Sequence, residues 1–140
     1  MALGGLAVAW PVGLVLNRSL RRAQGASMEP TLAHGQLVVV APTRWRQARL
    51  GDVVVARNPR QDGGPSWIKR VGMIGPGVAS APHPVVPGQT IDVLVDDGQV
   101  LLLGDNPEHS TDGRHLGATR LQDVTHVVIW PHRISEADGR

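Results

Sequence analysis

The chain lacks cysteine, phenylalanine and tyrosine altogether. Without cysteine it has no disulfide, no thiol nucleophile and no cysteine-based metal site. Without Phe and Tyr it lacks the usual aromatic platforms on which single-stranded nucleic acids stack. Its formal net charge is only +2. We therefore expect no nucleic-acid partner, and the candidate chemistry must come from hydroxyl, amine, carboxylate or imidazole groups.

Lysine is almost absent as well, because Lys69 is the only one among the 14 basic Lys and Arg residues. Arginine stays protonated at ordinary pH, whereas a buried lysine can lose its proton and act as a base. The segment Trp67-Ile68-Lys69-Arg70-Val71 is apolar enough to bury the amine. The plain alternative is a lysine that survived by chance in a genome biased towards arginine.

The length of 140 residues suits one domain, and the many Gly and Pro residues separate short Val-rich runs. These runs predict a mainly β fold, a twisted antiparallel sheet or open barrel. The predicted strands cover residues 37–41, 53–56, 67–74, 91–95, 100–103 and 124–130. Turn chemistry predicts a hairpin loop at 58–65 and a hairpin at Asp96-Asp97-Gly98. Residues 75–90 are left unassigned, and residues 104–117 are expected to be a polar loop.

The N-terminal segment, residues 1–16, is apolar and is expected to be a helix. It is shorter than the ~20 residues of a full membrane span, so a short anchor, a docked peripheral helix and a start-site artefact all remain open. Residues 17–24 form a connector, residues 25–132 the β domain and residues 133–140 a polar tail. Arginines follow the apolar segment, and if it spans a membrane they favour a cytoplasmic domain.

Ser27 lies in a tight turn, Gly25-Ala26-Ser27-Met28-Glu29-Pro30. A serine hydroxyl attacks only when a base removes its proton, and Ser–Lys pairs are a known form of this chemistry. The lysine must be neutral, which burial favours. We expect Gly25 and Ala26 to let a substrate backbone approach, with Met28 and Pro30 as further substrate-binding candidates.

Three segments resemble the conserved boxes of type I signal peptidases. Residues 25–32 resemble the nucleophile box, Lys69-Arg70-Val71 the general-base box, and residues 104–114 the third box, which begins Gly-Asp-Asn. Gly51-Asp52-Val53-Val54 fits the strand between the first two. The boxes occur in the family's order and cover most of the chain after residue 25.

The resemblance implies that Ser27 is the acylated nucleophile and Lys69 the general base. It also implies that Ser110 hydrogen-bonds the Lys69 amine and orients it. The activity implied is removal of N-terminal signal or leader peptides after small residues, with the substrate bound as an extended strand. No metal or cofactor is implied.

The resemblance further implies a scaffold of two ion pairs, Asp105 with Arg70 and Asp112 with Arg114. The chain departs from the family at Gly113, where a serine is usual. A second departure is Gly25, which has no hydroxyl to offer a developing oxyanion. The family's role implies a membrane-associated enzyme, held through residues 2–16, with an extracytoplasmic domain; the arginines keep a cytoplasmic domain as the alternative.

Other functions remain open on the sequence. The same family includes compact maturation proteases, such as those that remove the leader of nickel-type superoxide dismutase. LexA-like self-cleaving proteases share the first two boxes but not the third. An inactive β interaction module at the membrane would carry the boxes as remnants. The pattern Ser66-x-x-Lys69 resembles that of β-lactamases, which needs a helix where this chain predicts a strand.

Overall fold

The computed structural model describes residues 19–59 and 66–131. The predicted apolar helix within residues 1–16 and the tail at 133–140 lie outside these residues. Within the described ranges, no helix is both long and apolar enough to cross a bilayer.

Nine strands and one short helix, α1, form the described fold, together with two single turns of 3₁₀-helix at Pro107–His109 and Leu121–Asp123. The strands and the helix are β1 Leu20–Arg22, β2 Leu37–Pro42, β3 Val53–Ala56, β4 Trp67–Ile74, β5 Gly77–Pro82, β6 Thr90–Val95, β7 Gln99–Leu103, α1 Gly113–Leu116, β8 Thr119–Arg120 and β9 Val124–Trp130.

Seven of the strands form one antiparallel sheet in the order β1-β2-β9-β3-β4-β7-β8, and β5 pairs with β6 in a separate hairpin. The sheet curls into a half-barrel. The predicted mainly antiparallel β fold is confirmed, and so is the hairpin of β3 and β4, in which Val53 lies opposite Arg70 and Ala56 opposite Trp67.

The two faces of this sheet bury different apolar clusters. Val54 and Val71 belong to one cluster, and Val55 and Ile68 pack with the other. Successive residues of a strand point to opposite faces. Lys69, which lies opposite Val54 in the β3–β4 register, therefore shares a face with Val71.

The chain after β1 folds across the second face. Ala23, Met28 and Leu32 are buried there together with Val38 and Val40 of β2. Burial of these apolar side chains fixes the turn that carries Ser27 against the sheet. Residues 25–32 are called the nucleophile loop below.

Strands β1 and β5 were not predicted from the sequence. Residues 17–24, expected to be a connector, contain β1, which pairs with Leu37–Val39 of β2. Two of its three residues are arginines, so no apolar alternation marks it in the sequence. Part of the unassigned 75–90 stretch is β5, whose small residues Gly, Ala and Ser carry a weak strand signal.

The Asp-Gly turn is present, but the hairpin predicted from it is wrong. Gly98 has φ +77°, and the Gln99 N–H donates to the Asp96 carbonyl at 3.0 Å. However, β6 pairs with β5, whereas β7 pairs with β4 and β8. The turn therefore carries the chain from the hairpin into the main sheet.

The expectation of a polar loop at 104–117 also needs correction, because this stretch contains the 3₁₀ turn at Pro107–His109 and helix α1. Asp112 caps α1 by accepting a hydrogen bond from the Arg114 N–H, and His115 completes a capping box. A four-residue helix shows no apolar periodicity, so its cap was the only signal in the sequence.

Candidate active site

The nucleophile loop is held at both of its ends. Gly25 has φ +75°, a left-handed conformation that favours glycine over a residue with a hydroxyl side chain. Its N–H donates to His34 Nδ1 at 2.7 Å. Met28 and Leu32 anchor the other end in the core. Ser27 itself is half-buried between these anchors.

Lys69 is buried in the middle of β4, with only 4% of its surface exposed. The amine lies 5.4 Å from the centre of the Trp67 ring, and Nζ donates to Ser110 Oγ at 3.3 Å. Burial lowers the pKa of this amine below its ordinary value; the charge of Asp112 acts to raise it and that of Arg114 to lower it. Burial is the largest of these effects, so the site makes the amine easier to deprotonate than a solvated lysine.

The hydrogen bonds of Ser110 have a fixed direction, and this orients the Lys69 amine. The Ser110 hydroxyl donates its single proton to Asp112 Oδ2 at 2.8 Å, so its oxygen is left to accept from Lys69. A neutral amine has two protons and one lone pair. Because one N–H is directed at Ser110, the lone pair remains free to accept a proton from another donor.

Asp112 is completely buried and is the centre of a polar cluster. It accepts hydrogen bonds from the Gly104 N–H at 2.8 Å, from the Arg114 N–H and Nε, both at 3.0 Å, and from Arg114 Nη2 at 3.2 Å, in addition to the bond from Ser110. Burial alone would raise the pKa of Asp112. The hydrogen bonds from Arg114, Gly104 and Ser110 outweigh it and lower the pKa below the usual range.

A second ion pair ties β4 to the nucleophile loop. Arg70 Nε and Nη2 donate to the two carboxylate oxygens of Asp105 at 2.8 and 2.7 Å. Thr31 Oγ1 donates to Asp105 Oδ2 at 2.6 Å. Burial would raise the pKa of Asp105, but the hydrogen bonds from Arg70 and Thr31 hold it below its ordinary value. One carboxylate thus joins β4, the nucleophile loop and the third box.

Asn106 makes the remaining tie, which the sequence analysis missed. Its N–H donates to the Ser27 carbonyl at 2.9 Å, and Nδ2 donates to the Ala26 carbonyl at 3.0 Å. Thr31 was missed as well. Both residues lie within the recognised boxes, but nothing in the sequence indicates which backbone or side chain they contact.

Gly104 lies between the nucleophile loop and Ser110, the residue that accepts a hydrogen bond from Lys69. A Cβ at this position would overlap the Ser110 side chain and lie 2.7 Å from the Ser27 carbonyl oxygen. The Ser27 carbonyl and the Ser110 side chain therefore both lie against Gly104, and Lys69 donates a hydrogen bond to Ser110. Only a residue without a side chain permits this approach.

The other candidates occupy different places. Pro30 is exposed beside the nucleophile loop, whereas Met28 is buried beneath it. Gly113 replaces the usual serine where α1 touches β7, and a Cβ there would lie 2.9 Å from the Leu102 carbonyl oxygen. Glycine therefore allows α1 to lie flat on the sheet. No metal-binding cluster of His, Asp and Glu occurs in residues 19–59 and 66–131.

Comparisons with known proteins show the family to which the chain belongs. The family model for signal peptidase, peptidase S26, matches residues 4–93, which is more than half of the chain and includes Ser27 and Lys69. The chain is 32% identical over 119 residues to the mitochondrial ATP-independent inner membrane protease subunit 1a of Arabidopsis thaliana, covering 81% of this chain and 71% of that protein. It is 28% identical over 111 residues to subunit 1b of the same plant, covering 77% and 66%. The chain belongs to the signal peptidase family, peptidase S26.

Proposed function

We propose that the protein is a serine endopeptidase that removes N-terminal signal or leader peptides with a Ser27–Lys69 dyad. The observation that carries the proposal is the Lys69 amine, which is buried, forms no ion pair among the described residues, and is joined through Ser110 to the neighbourhood of Ser27. A surface lysine would be charged and solvated, and would have no such arrangement around it.

In the proposed reaction, neutral Lys69 takes the hydroxyl proton of Ser27 while Oγ attacks the scissile carbonyl carbon. The tetrahedral intermediate collapses when Lys69 returns the proton to the leaving amine, which leaves an acyl ester on Ser27. Lys69 then takes a proton from water, and the resulting attack on the ester frees the leader peptide. The returning proton restores the Ser27 hydroxyl.

The developing oxyanion needs hydrogen-bond donors positioned before the reaction begins. The Ser27 N–H donates no hydrogen bond to residues in the described ranges, so it is available for this role. Gly25 has no hydroxyl, and its own N–H is bonded to His34. We propose that stabilisation of the oxyanion rests on backbone donors of the nucleophile loop.

The leader segment has a strand edge on which to bind. β4 pairs with β3 from Trp67 to Arg70, but its pairing with β7 begins only at Arg70, opposite Leu103. No described strand covers the β7-side edge at residues 67–69. An extended peptide could pair there through main-chain hydrogen bonds. Gly25 and Ala26 would admit small side chains before the cut, with Met28 below and Pro30 beside them.

We propose that the enzyme works at a membrane, with residues 2–16 as the attachment and the catalytic domain on the extracytoplasmic side. The support is the apolar composition of that segment and the likeness to plant proteins named as inner membrane proteases. Digestion by an added protease in sealed vesicles of known orientation tests on which side of the membrane the catalytic domain lies. A domain protected inside would favour the cytoplasmic maturation protease.

The dyad is tested by cleavage of a leader-bearing substrate. Ser27→Ala and Lys69→Arg should each abolish turnover, because the first removes the nucleophile and the second keeps a positive charge but cannot supply a neutral base. Lys69→Met is the matched variant if the larger Arg side chain disturbs folding. Ser80→Ala, at an exposed position of β5, is the control and should cleave like the wild type. Substantial turnover by folded Lys69→Met would refute the proposed base.

A further inference from the structure

A lateral groove of about 420 Å³ lies between the β5–β6 connection and the third box. One wall is the Pro-rich stretch 82–89, and the other is formed by residues 106–108 with Arg114. Nothing in the dyad chemistry described above uses this space.

Asn106 connects the groove to the nucleophile loop. Asn106 lines the groove, and the same residue holds the carbonyls of Ala26 and Ser27. Asn106 therefore places one end of the groove beside the backbone of Ala26 and Ser27, within reach of a polypeptide whose scissile carbonyl lies at Ser27.

The Pro-rich wall is ordered by hydrogen bonds. His83 Nδ1 accepts from the N–H groups of Val85 at 3.1 Å and Val86 at 2.9 Å. The His83 N–H donates to the Gln89 carbonyl at 2.8 Å, which closes the connection. Because Nδ1 accepts, the ring proton is on Nε2, which remains a donor. The groove is thus formed before any ligand arrives.

The groove offers both a hydrogen-bond donor and a hydrogen-bond acceptor. The Arg114 side chain is only 3% exposed. Its Nε donates a hydrogen bond to Asp112, and its Nη2 donates to Asp112 and to the Pro107 carbonyl. Its Nη1 and the Oδ1 of Asn106 take part in no hydrogen bond within the described residues. One donor and one acceptor suit the alternating groups of an extended peptide backbone.

The groove also carries an unbalanced negative charge. The charge of Arg114 is offset by its ion pair with Asp112. Glu108, in contrast, is exposed at the rim and has neither an ion pair nor a hydrogen bond to any described residue. A positively charged side chain is its natural complement.

We propose that the lateral groove binds the segment that follows the scissile bond, the start of the mature protein, and that Glu108 selects for a lysine or arginine there. The inference rests on the proposed function. With the leader on the β4 edge at residues 67–69, as proposed above, the chain on the other side of the cut is assigned to the lateral groove because Asn106 contacts both the Ser27 carbonyl and the groove.

The test is a set of peptides that share one leader and cleavage site and carry Lys or Glu at each of the first few positions after the cut. A second set places the same charges upstream, well before the small residue. The measured quantity is the ratio of kcat/KM for the Lys peptide to that for the Glu peptide. We expect this ratio to be about two- to fivefold for the wild type, the effect of an exposed ion pair, and to fall as salt is added.

Glu108→Lys should invert the ratio for charges placed after the cut. Asp97→Lys makes the same change of net charge at the far end of the six-residue strand β6, roughly 20 Å from the Pro-rich wall, and should keep the wild-type ratio. Cleavage with equal ratios in wild type and Glu108→Lys would overturn the groove and leave the dyad standing. If Glu108→Lys changes the ratio for the upstream charges and not for those after the cut, the groove binds the leader instead. No cleavage of any peptide by the wild type would refute the proposed function, and the groove assignment with it.

Discussion

Replacement of Asp112 by Asn should strongly destabilise the fold. The carboxylate is fully buried and is paired with Arg114, whose side chain is 3% exposed. Asn keeps the shape but removes the charge, and it offers an NH₂ group where one carboxylate oxygen stood. If its carbonyl oxygen keeps the bonds on the Oδ1 side, the NH₂ faces the Gly104 N–H and Arg114 Nη2, both of which are donors.

The magnitude follows from the burial of the pair. Breaking a buried ion pair by removing one partner typically costs about 3–5 kcal/mol, because the other charge is left without compensation. Arg114 cannot relieve this cost by losing its proton, since guanidinium remains charged. An ordinary domain is stable by about 5–15 kcal/mol, so the variant should remain folded at low temperature but unfold at much lower urea concentration.

The assay is urea unfolding at neutral pH, with Asp123→Asn as the control. Asp123 pairs with Arg120, which is 64% exposed, in an ion pair of the same charge types. Loss of that surface pair should cost less than about 1 kcal/mol. Asp112→Asn combined with Arg114→Met removes both charges and should recover part of the loss. A cost below about 1 kcal/mol for Asp112→Asn alone would refute the view that this pair holds the third box.

Two further predictions concern the contact between the nucleophile loop and the base. Gly104→Ala should lower kcat/KM by on the order of tenfold to a hundredfold, since the new Cβ must displace Ser27 or Ser110. If the variant cleaves with the kinetics of the wild type, Ser27 and Ser110 do not meet at Gly104. Lys69→Met should change how stability depends on pH. The pKa of Lys69 is lower in the folded protein than the ~10.4 of an unfolded chain. Between these two pKa values the unfolded wild type binds one more proton than the folded form. The stability of the wild type therefore rises with pH across that window. Urea unfolding at several pH values should show no such rise in Lys69→Met, and equal slopes for the two proteins would contradict the burial of a neutral amine.

Much of the sheet could be predicted because its strands are short apolar runs bounded by Gly, Pro and Asp. Residues 53–56 and 67–74 were placed at the positions of β3 and β4 for this reason. Lys69 could be selected because it is a lone lysine among apolar neighbours. In both cases the signal is local, so neighbouring residues in the sequence were enough.

The remaining features depend on contacts between distant segments. The turn at Asp96–Gly98 fixes a reversal of the chain, but it does not decide which strand pairs with β6. Thr31 and Asp105 are separated by 74 positions, and their hydrogen bond exists only because the curled sheet brings the first and third boxes together. Polar side chains have many possible partners, so sequence alone could name the boxes but not the ties between them.

The arrangement around Lys69 reconciles two demands that oppose each other. The proposed base must be held firmly, which polar partners do best, yet a carboxylate in direct contact would keep it protonated. Ser110 resolves the conflict by standing between Lys69 and Asp112, so that the carboxylate fixes the serine and the serine fixes the amine. Arg114 then offsets the charge of Asp112, and their effects on the Lys69 pKa have opposite signs. Burial is left as the dominant influence and lowers the pKa of Lys69, as the proposed role requires.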